Sequence, residues 1–207
     1  MEIVLISLTT FFATIGPPDI ALVFAALTKN ATAKERFIFA TRGILVATII
    51  LLFFGWLGDA ILSLFGITIA ALRTGGGILL LLIAIDMVFA RHSGGTGTTK
   101  EENAEAKKSD DISIFPLATP LLAGPGAISA VILLTTGAQS QTEYWLVMLA
   151  LVLIMFFTWT MLLLAIPIQK ILGVTGLAVV SRIVGILLAA LAVQFIFDGI
   201  KASGLIG

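Results

Sequence analysis

The chain has 207 residues, 59% hydrophobic and only 12% charged, with twelve basic and twelve acidic side chains in balance. Soluble domains carry about 25% charge, so a water-soluble single domain, a disordered chain and a nucleic-acid binder are excluded. There is no cysteine and one histidine, His92, which excludes disulfides, thiolate or multi-histidine metal centres and cysteine-based catalysis.

A membrane span needs about 20 mostly apolar residues, and six such stretches follow one another. The first covers roughly 3–28. Glu2 and no basic residue precede it, so it reads as a true span rather than a cleaved leader. Lys29, Lys34 and Arg36 follow, then a second span over 37–57 that carries Arg42. The third span, 66–90, holds Asp86 and the run Arg73-Thr74-Gly75-Gly76-Gly77, whose glycines permit close helix packing. Arg42 and Asp86 lie within roughly 10 Å of one boundary, where they either pair or reach to the interface. Residues 91–113 are polar, rich in Gly, Ser, Thr and mixed charge, and predict a cytoplasmic linker. The fourth span covers 114–136. The fifth covers 144–168 and has no Gly or Pro over 144–166, which predicts a continuous helix. The sixth, 177–199, includes Arg182 and ends at the solvated Asp198.

Loops after spans 1, 3 and 5 hold eight Lys and Arg residues; those after spans 2 and 4 hold none, and the C-terminal tail has Lys201. Cytoplasmic loops carry the basic excess, so both termini are expected on the non-cytoplasmic side.

The linker divides the chain into 1–90 and 114–207, three spans each. Shifting the first half by 108 positions places Gly16-Pro17 on Gly124-Pro125 and Gly77-Ile78-Leu79-Leu80 on Gly185-Ile186-Leu187-Leu188. A unit of three spans is odd, so the second copy is inverted in the membrane, an arrangement frequent in transporters. Under this shift Arg73 and Arg182 fall one step out of register, as candidate gate or anchor residues.

Gly16-Pro17-Pro18-Asp19 interrupts span 1, and Gly124-Pro125-Gly126 interrupts span 4. Proline removes a backbone donor and clashes with the preceding turn, and lipid cannot satisfy the freed groups. Paired breaks in inverted halves predict a midplane site. Half-helix N-termini favour a carboxylate, and unwound carbonyls accept from an ammonium or hold a cation. A small zwitterion is the expected solute. Asp19 either caps the second half-helix or contacts an ammonium or proton. Arg42, Arg73, Asp86 and Arg182 are the gating or coupling candidates. No cofactor or metal site is expected, although coupling to protons or sodium is open.

The segment PLATPLLAGPGAIS (116–129) resembles the hallmark of the MarC family of bacterial inner-membrane proteins. LRTGGGILLLLIAIDMVF (72–89) and SRIVGILLAALAVQFIFDGI (181–200) are similar to that family's third and last spans. The resemblance implies an all-α, six-span inner-membrane protein that transports small neutral amino acids such as glycine or alanine. In many relatives the span 1 motif resembles Asp/Asn-Pro-x-Gly-x-x-Pro. Here Gly16 and Asp19 have exchanged places, and Leu22 replaces the later proline. The expected function is therefore secondary transport, by export or exchange. A non-transporting membrane scaffold or regulator, or transport of another small metabolite, is the alternative. An enzyme is disfavoured, because the usual nucleophile–base sets are absent.

Overall fold

The computed structural model describes residues 2–28, 31–89 and 111–204. Those residues form helices and no strands. The linker prediction falls almost wholly on residues 90–110, which with His92 lie outside the described residues.

The first span is two helices, α1 (Glu2–Ile15) and α2 (Pro17–Leu27). α3 (Ala33–Leu64) and α4 (Ile69–Phe89) complete the first half. The second half runs α5 (Ser113–Leu122, a wide π-type segment), α6 (Pro125–Thr136), α7 (Gln141–Leu163) and α8 (Ala165–Ala202). Five of the spans are long and apolar enough to cross a bilayer, and the bent pair α5–α6 makes six. α7 is unbroken, in keeping with its lack of Gly and Pro. α8 begins well before the expected sixth span and kinks at Gly173, where φ is +64°.

Short polar signals set the helix starts. Thr32 and Glu35 form a reciprocal capping box at the start of α3, with Glu35 N–H donating to Thr32 Oγ1 (3.2 Å) and Thr32 N–H to Glu35 Oε2 (2.7 Å). At the start of α7, 108 residues on, Glu143 N–H donates to Ser140 Oγ (3.2 Å) and Gln139 N–H to Glu143 Oε2 (2.7 Å). The starts of α2 and α3, residues 17 and 33, likewise recur at 125 and 141.

The broken spans occupy the centre. The Ile3–Ala25 span is 56% buried, against 22% for the last span. Phe11, Phe24, Leu51, Leu117, Leu122 and Leu151 belong to one core cluster drawn from both halves. The outer helices turn residues such as Trp56, Phe156 and Leu187 outward, as a lipid-facing surface requires. α3 approaches the broken spans through its glycines: a methyl at Gly43 would strike Leu117 of α5, and one at Gly58 would lie 3.0 Å from Ile132 of α6.

α4 and α8 share the most extensive helix contact. Gly77 lies against the Ala192 carbonyl and Ile196, while Gly185 lies against the Ala84 carbonyl and Val88. Each partner in the second contact is 108 residues from its counterpart in the first. The pairing is thus reciprocal, and the order of the contacts makes the two helices antiparallel.

Candidate functional site

At the first break, Gly16 adopts φ +65° and ψ +56°, the left-handed conformation that glycine tolerates best. Helical bonding bridges it in part, because Gly16 N–H donates to Phe12 O (3.0 Å) and Ile20 N–H to Gly16 O (3.0 Å). Pro17 and Pro18 have no N–H to offer the carbonyls of Ala13 and Thr14. The first break is a swivel between two short helices rather than a gap. Asp19 stands, half-buried, in the first turn of α2. Its carboxylate lies beside Gly16, with Oδ2 3.4 Å from where a methyl there would stand. A carboxylate in this place offsets the partial positive charge of the α2 N-terminus.

The second break is built differently. Gly124 is extended, with φ −80° and ψ 171°, and the chain bends by 55° between α5 and α6. A methyl on Gly124 would lie 2.5 Å from the Pro120 carbonyl, and one on Gly126 would strike Ile83 of α4. Pro125 opens α6, with no side-chain cap and no acid in the first turn. The α6 N-terminus therefore keeps its uncompensated positive end. Upstream, Pro116 and Pro120 interrupt α5, and the Phe115–Pro116 and Thr119–Pro120 peptides are cis. Five-residue bonds bridge these points, Leu117 N–H to Ile112 O (3.2 Å) and Ala123 N–H to Ala118 O (2.9 Å). The sequence reading placed one interruption at Gly124-Pro125; the fourth span is also widened along its whole first half. Ile15 and Ile20 beside one break and Ala123 and Ala127 beside the other belong to the same core cluster.

The charged candidates lie around this centre. Arg42 pairs with Asp111 (3.0 Å), a residue 69 positions away. Asp111 also accepts from Ser113 N–H (2.9 Å). Hydrogen bonding by Ser113 and then the Arg42 guanidinium hold the Asp111 carboxyl below the usual carboxylate range. Arg73 is half-buried, and its guanidinium stands 3.4 Å from where a methyl on Gly137 would be, beside the last carbonyls of α6. That is the negative end of the α6 dipole. At the end of α2 another arginine plays the corresponding part, with Arg36 Nε donating to Thr28 O (3.1 Å). Asp86 is half-buried on α4, and Arg182 is exposed on α8. No group of three or more His, Cys, Asp or Glu able to hold a metal occurs among the described residues.

Two features escaped the sequence reading. Ser7, Thr10 and Thr14 are all buried on α1, at the i, i+3, i+7 spacing of one helix face. A separate apolar groove of about 640 Å³ lies between α1, α7 and α8, lined by Leu8, Phe12, Phe157, Leu187 and Leu191 among others.

The profile described as "MarC family integral membrane protein" matches residues 1–203. A UPF0056 membrane protein of Methanocaldococcus jannaschii is 36% identical over 203 residues, covering 98% of each chain. UPF0056 membrane protein YhcE of Escherichia coli is 38% identical over 92% of this chain and 88% of its own, and YvbG of Bacillus subtilis is 35% identical over 93% and 91%. No solved structure matches. The chain belongs to the MarC family of multi-pass integral membrane proteins.

Proposed function

We propose that this MarC-family chain is a secondary transporter that exports or exchanges small neutral zwitterions, with glycine and alanine as the first candidates. The observation that carries the reading is the contrast between the two breaks. At the first, the Asp19 carboxylate lies beside Gly16, and Pro17 and Pro18 leave the carbonyls of Ala13 and Thr14 without helical donors. The second offers an α6 N-terminus with neither cap nor acid. An ammonium suits the first set, and a carboxylate suits the second.

An inverted repeat agrees with the 108-residue recurrence of helix starts and capping residues. The exchanged contacts of Gly77 with Ala192 and of Gly185 with Ala84 also support it. Rocking one half against the other would then expose the midplane alternately to either side. In this reading the protein is not an enzyme. It sits in the bacterial inner membrane with both termini on the non-cytoplasmic side.

The test is uptake and counterflow of labelled glycine and alanine in proteoliposomes, with and without pH and sodium gradients. Saturable flux is expected, lost in Gly124→Ala, where the added methyl meets the Pro120 carbonyl. Folded protein that gives no flux above empty liposomes would overturn the amino-acid assignment and favour another solute or a scaffold. Full pH-dependent activity in Asp19→Asn would remove Asp19 as a proton carrier.

A further inference from the structure

Many hydroxyl side chains in these helices follow one habit; the buried exceptions are Ser7 and Thr10 on α1 and Ser113 at the start of α5. Thr9, Thr14, Thr28, Thr48, Thr135 and Thr158 each donate to the carbonyl four residues back, at 2.7–2.9 Å. This is the usual way a membrane helix satisfies threonine without a second helix. Ser7 and Thr10 are fully buried, 0% exposed, and their hydroxyls have no partner among the described residues. A buried hydroxyl without a partner costs about 1–3 kcal/mol, and local bonding was available to both at no structural cost.

Their placement has a direction. The apolar groove takes the face of α1 that carries Leu8, Thr9, Phe12 and Ala13, turned towards α7 and α8. Ser7, Thr10 and Thr14 occupy the opposite face, and α6 is a further helix packed on α1. At about 1.5 Å per residue the stripe runs for about 10 Å along α1 and stops two residues before Gly16. It ends at the two carbonyls that Pro17 and Pro18 leave without helical donors.

We infer that Ser7 and Thr10 line a hydrated binding path for a small solute carrying both hydrogen-bond donors and acceptors, leading along α1 to the first break. A hydroxyl can donate to a carboxylate and accept from an ammonium, so the pair can hand such a solute along without a fixed charge. The inference rests on the transport reading and names the α1 residues that contact the solute.

The chain has no cysteine, so single-cysteine variants need no altered background. Ser7→Cys, Thr10→Cys and the groove-side control Ala13→Cys would be treated, in proteoliposomes, with a charged, membrane-impermeant methanethiosulfonate. The first two are expected to react at least tenfold faster than the third, although they are the more deeply buried (0% against 6% exposed), and glycine or alanine is expected to slow them. Rates at 7 and 10 as low as at 13 would overturn the inference, because the hydroxyls would then sit in a dry interior. Fast labelling that neither amino acid slows would keep the path and overturn the substrate assigned under the transport reading. Where flux is measurable, Thr10→Val is expected to raise KM at least fivefold and Thr10→Ser to restore it. An unchanged KM in Thr10→Val would count against the inference even if a cysteine variant fails to fold.

Discussion

Gly16 holds a conformation that costs an L side chain about 1–2 kcal/mol. Gly66, between α3 and α4, has the same φ of +65° but nothing within 4 Å of where its methyl would stand. Gly16→Ala and Gly66→Ala should therefore lower the melting temperature by similar amounts in detergent. Flux should fall only in Gly16→Ala, where the strained turn holds the Asp19 carboxylate against the added methyl. Equal flux in the two variants would separate the swivel from function. Asp111 makes a pH prediction with a definite sign. Its carboxyl is held below its unfolded value, so its contribution is complete above about pH 4 and fades as pH falls through the lower native value. A melting curve taken from pH 6 down to pH 3 should show wild type converging on Asp111→Asn at the acid end. Arg42→Gln should remove only part of the difference, because Ser113 still donates to the carboxylate. The sequence could not name this pair: 69 residues separate its members, and hydropathy carries no information on which boundary charges meet.

Helices were more legible than their faces. A run of apolar residues reports transfer from water to lipid, which is why the spans could be marked to within a few residues. Proline and glycine advertise interruptions for an equally local reason. The capping pairs Thr32–Glu35 and Ser140–Glu143 were also readable, since S/T-x-x-E is a local signal, yet hydropathy alone passes over them. What stayed hidden needed neighbours. The widened turns of α5 depend on two prolines accommodated together by α3 and the core, and the burial of Ser7 and Thr10 depends on which side of α1 meets other helices. The α4–α8 contact yields a prediction at this scale. A methyl at Gly77 would lie 2.8 Å from the Ala192 carbonyl, and one at Gly185 would lie 2.9 Å from Met87 Cβ and 3.1 Å from the Ala84 carbonyl. Gly77→Ala and Gly185→Ala should each destabilise by about 1–3 kcal/mol, the usual cost of overpacking. Gly75→Ala, with open space around it, should stay within about 0.5 kcal/mol of wild type. A tolerant Gly77 would mean that α4 and α8 separate readily.

For the whole molecule, the charge distribution makes the orientation testable without altering its balance greatly. In the proposed orientation, Ile67→Cys, Gln139→Cys and Ser203→Cys should label from outside intact cells with an impermeant thiol reagent. Lys34→Cys should label only after permeabilisation. The reverse pattern would invert the molecule and assign the α6 N-terminus to the opposite approach. The arginines at the ends of the two inner half-helices, Arg36 at α2 and Arg73 at α6, would in either case lie on opposite sides of the membrane. Each is placed against a negative helix end, so the positive charge that faces each compartment is tied to a half-helix that adjoins a break.

The length of α3 has a consequence for the membrane that surrounds the protein. Its candidate span, Ala33–Gly58, opens on the charged Lys34, Glu35 and Arg36; the part from 37 to 58 is about 33 Å of helix, against a hydrocarbon thickness of about 30 Å. Matching the two by tilt alone calls for an inclination of about 25°, inside the usual range for such helices. α3 is also the helix whose glycines lie against α5 and α6, so any change in its inclination is passed directly to the second break. A thicker bilayer would let α3 stand more upright, and a thinner one would lay it down. Acyl-chain length thus becomes a control on the shape of the centre of the molecule, one that acts without any ligand.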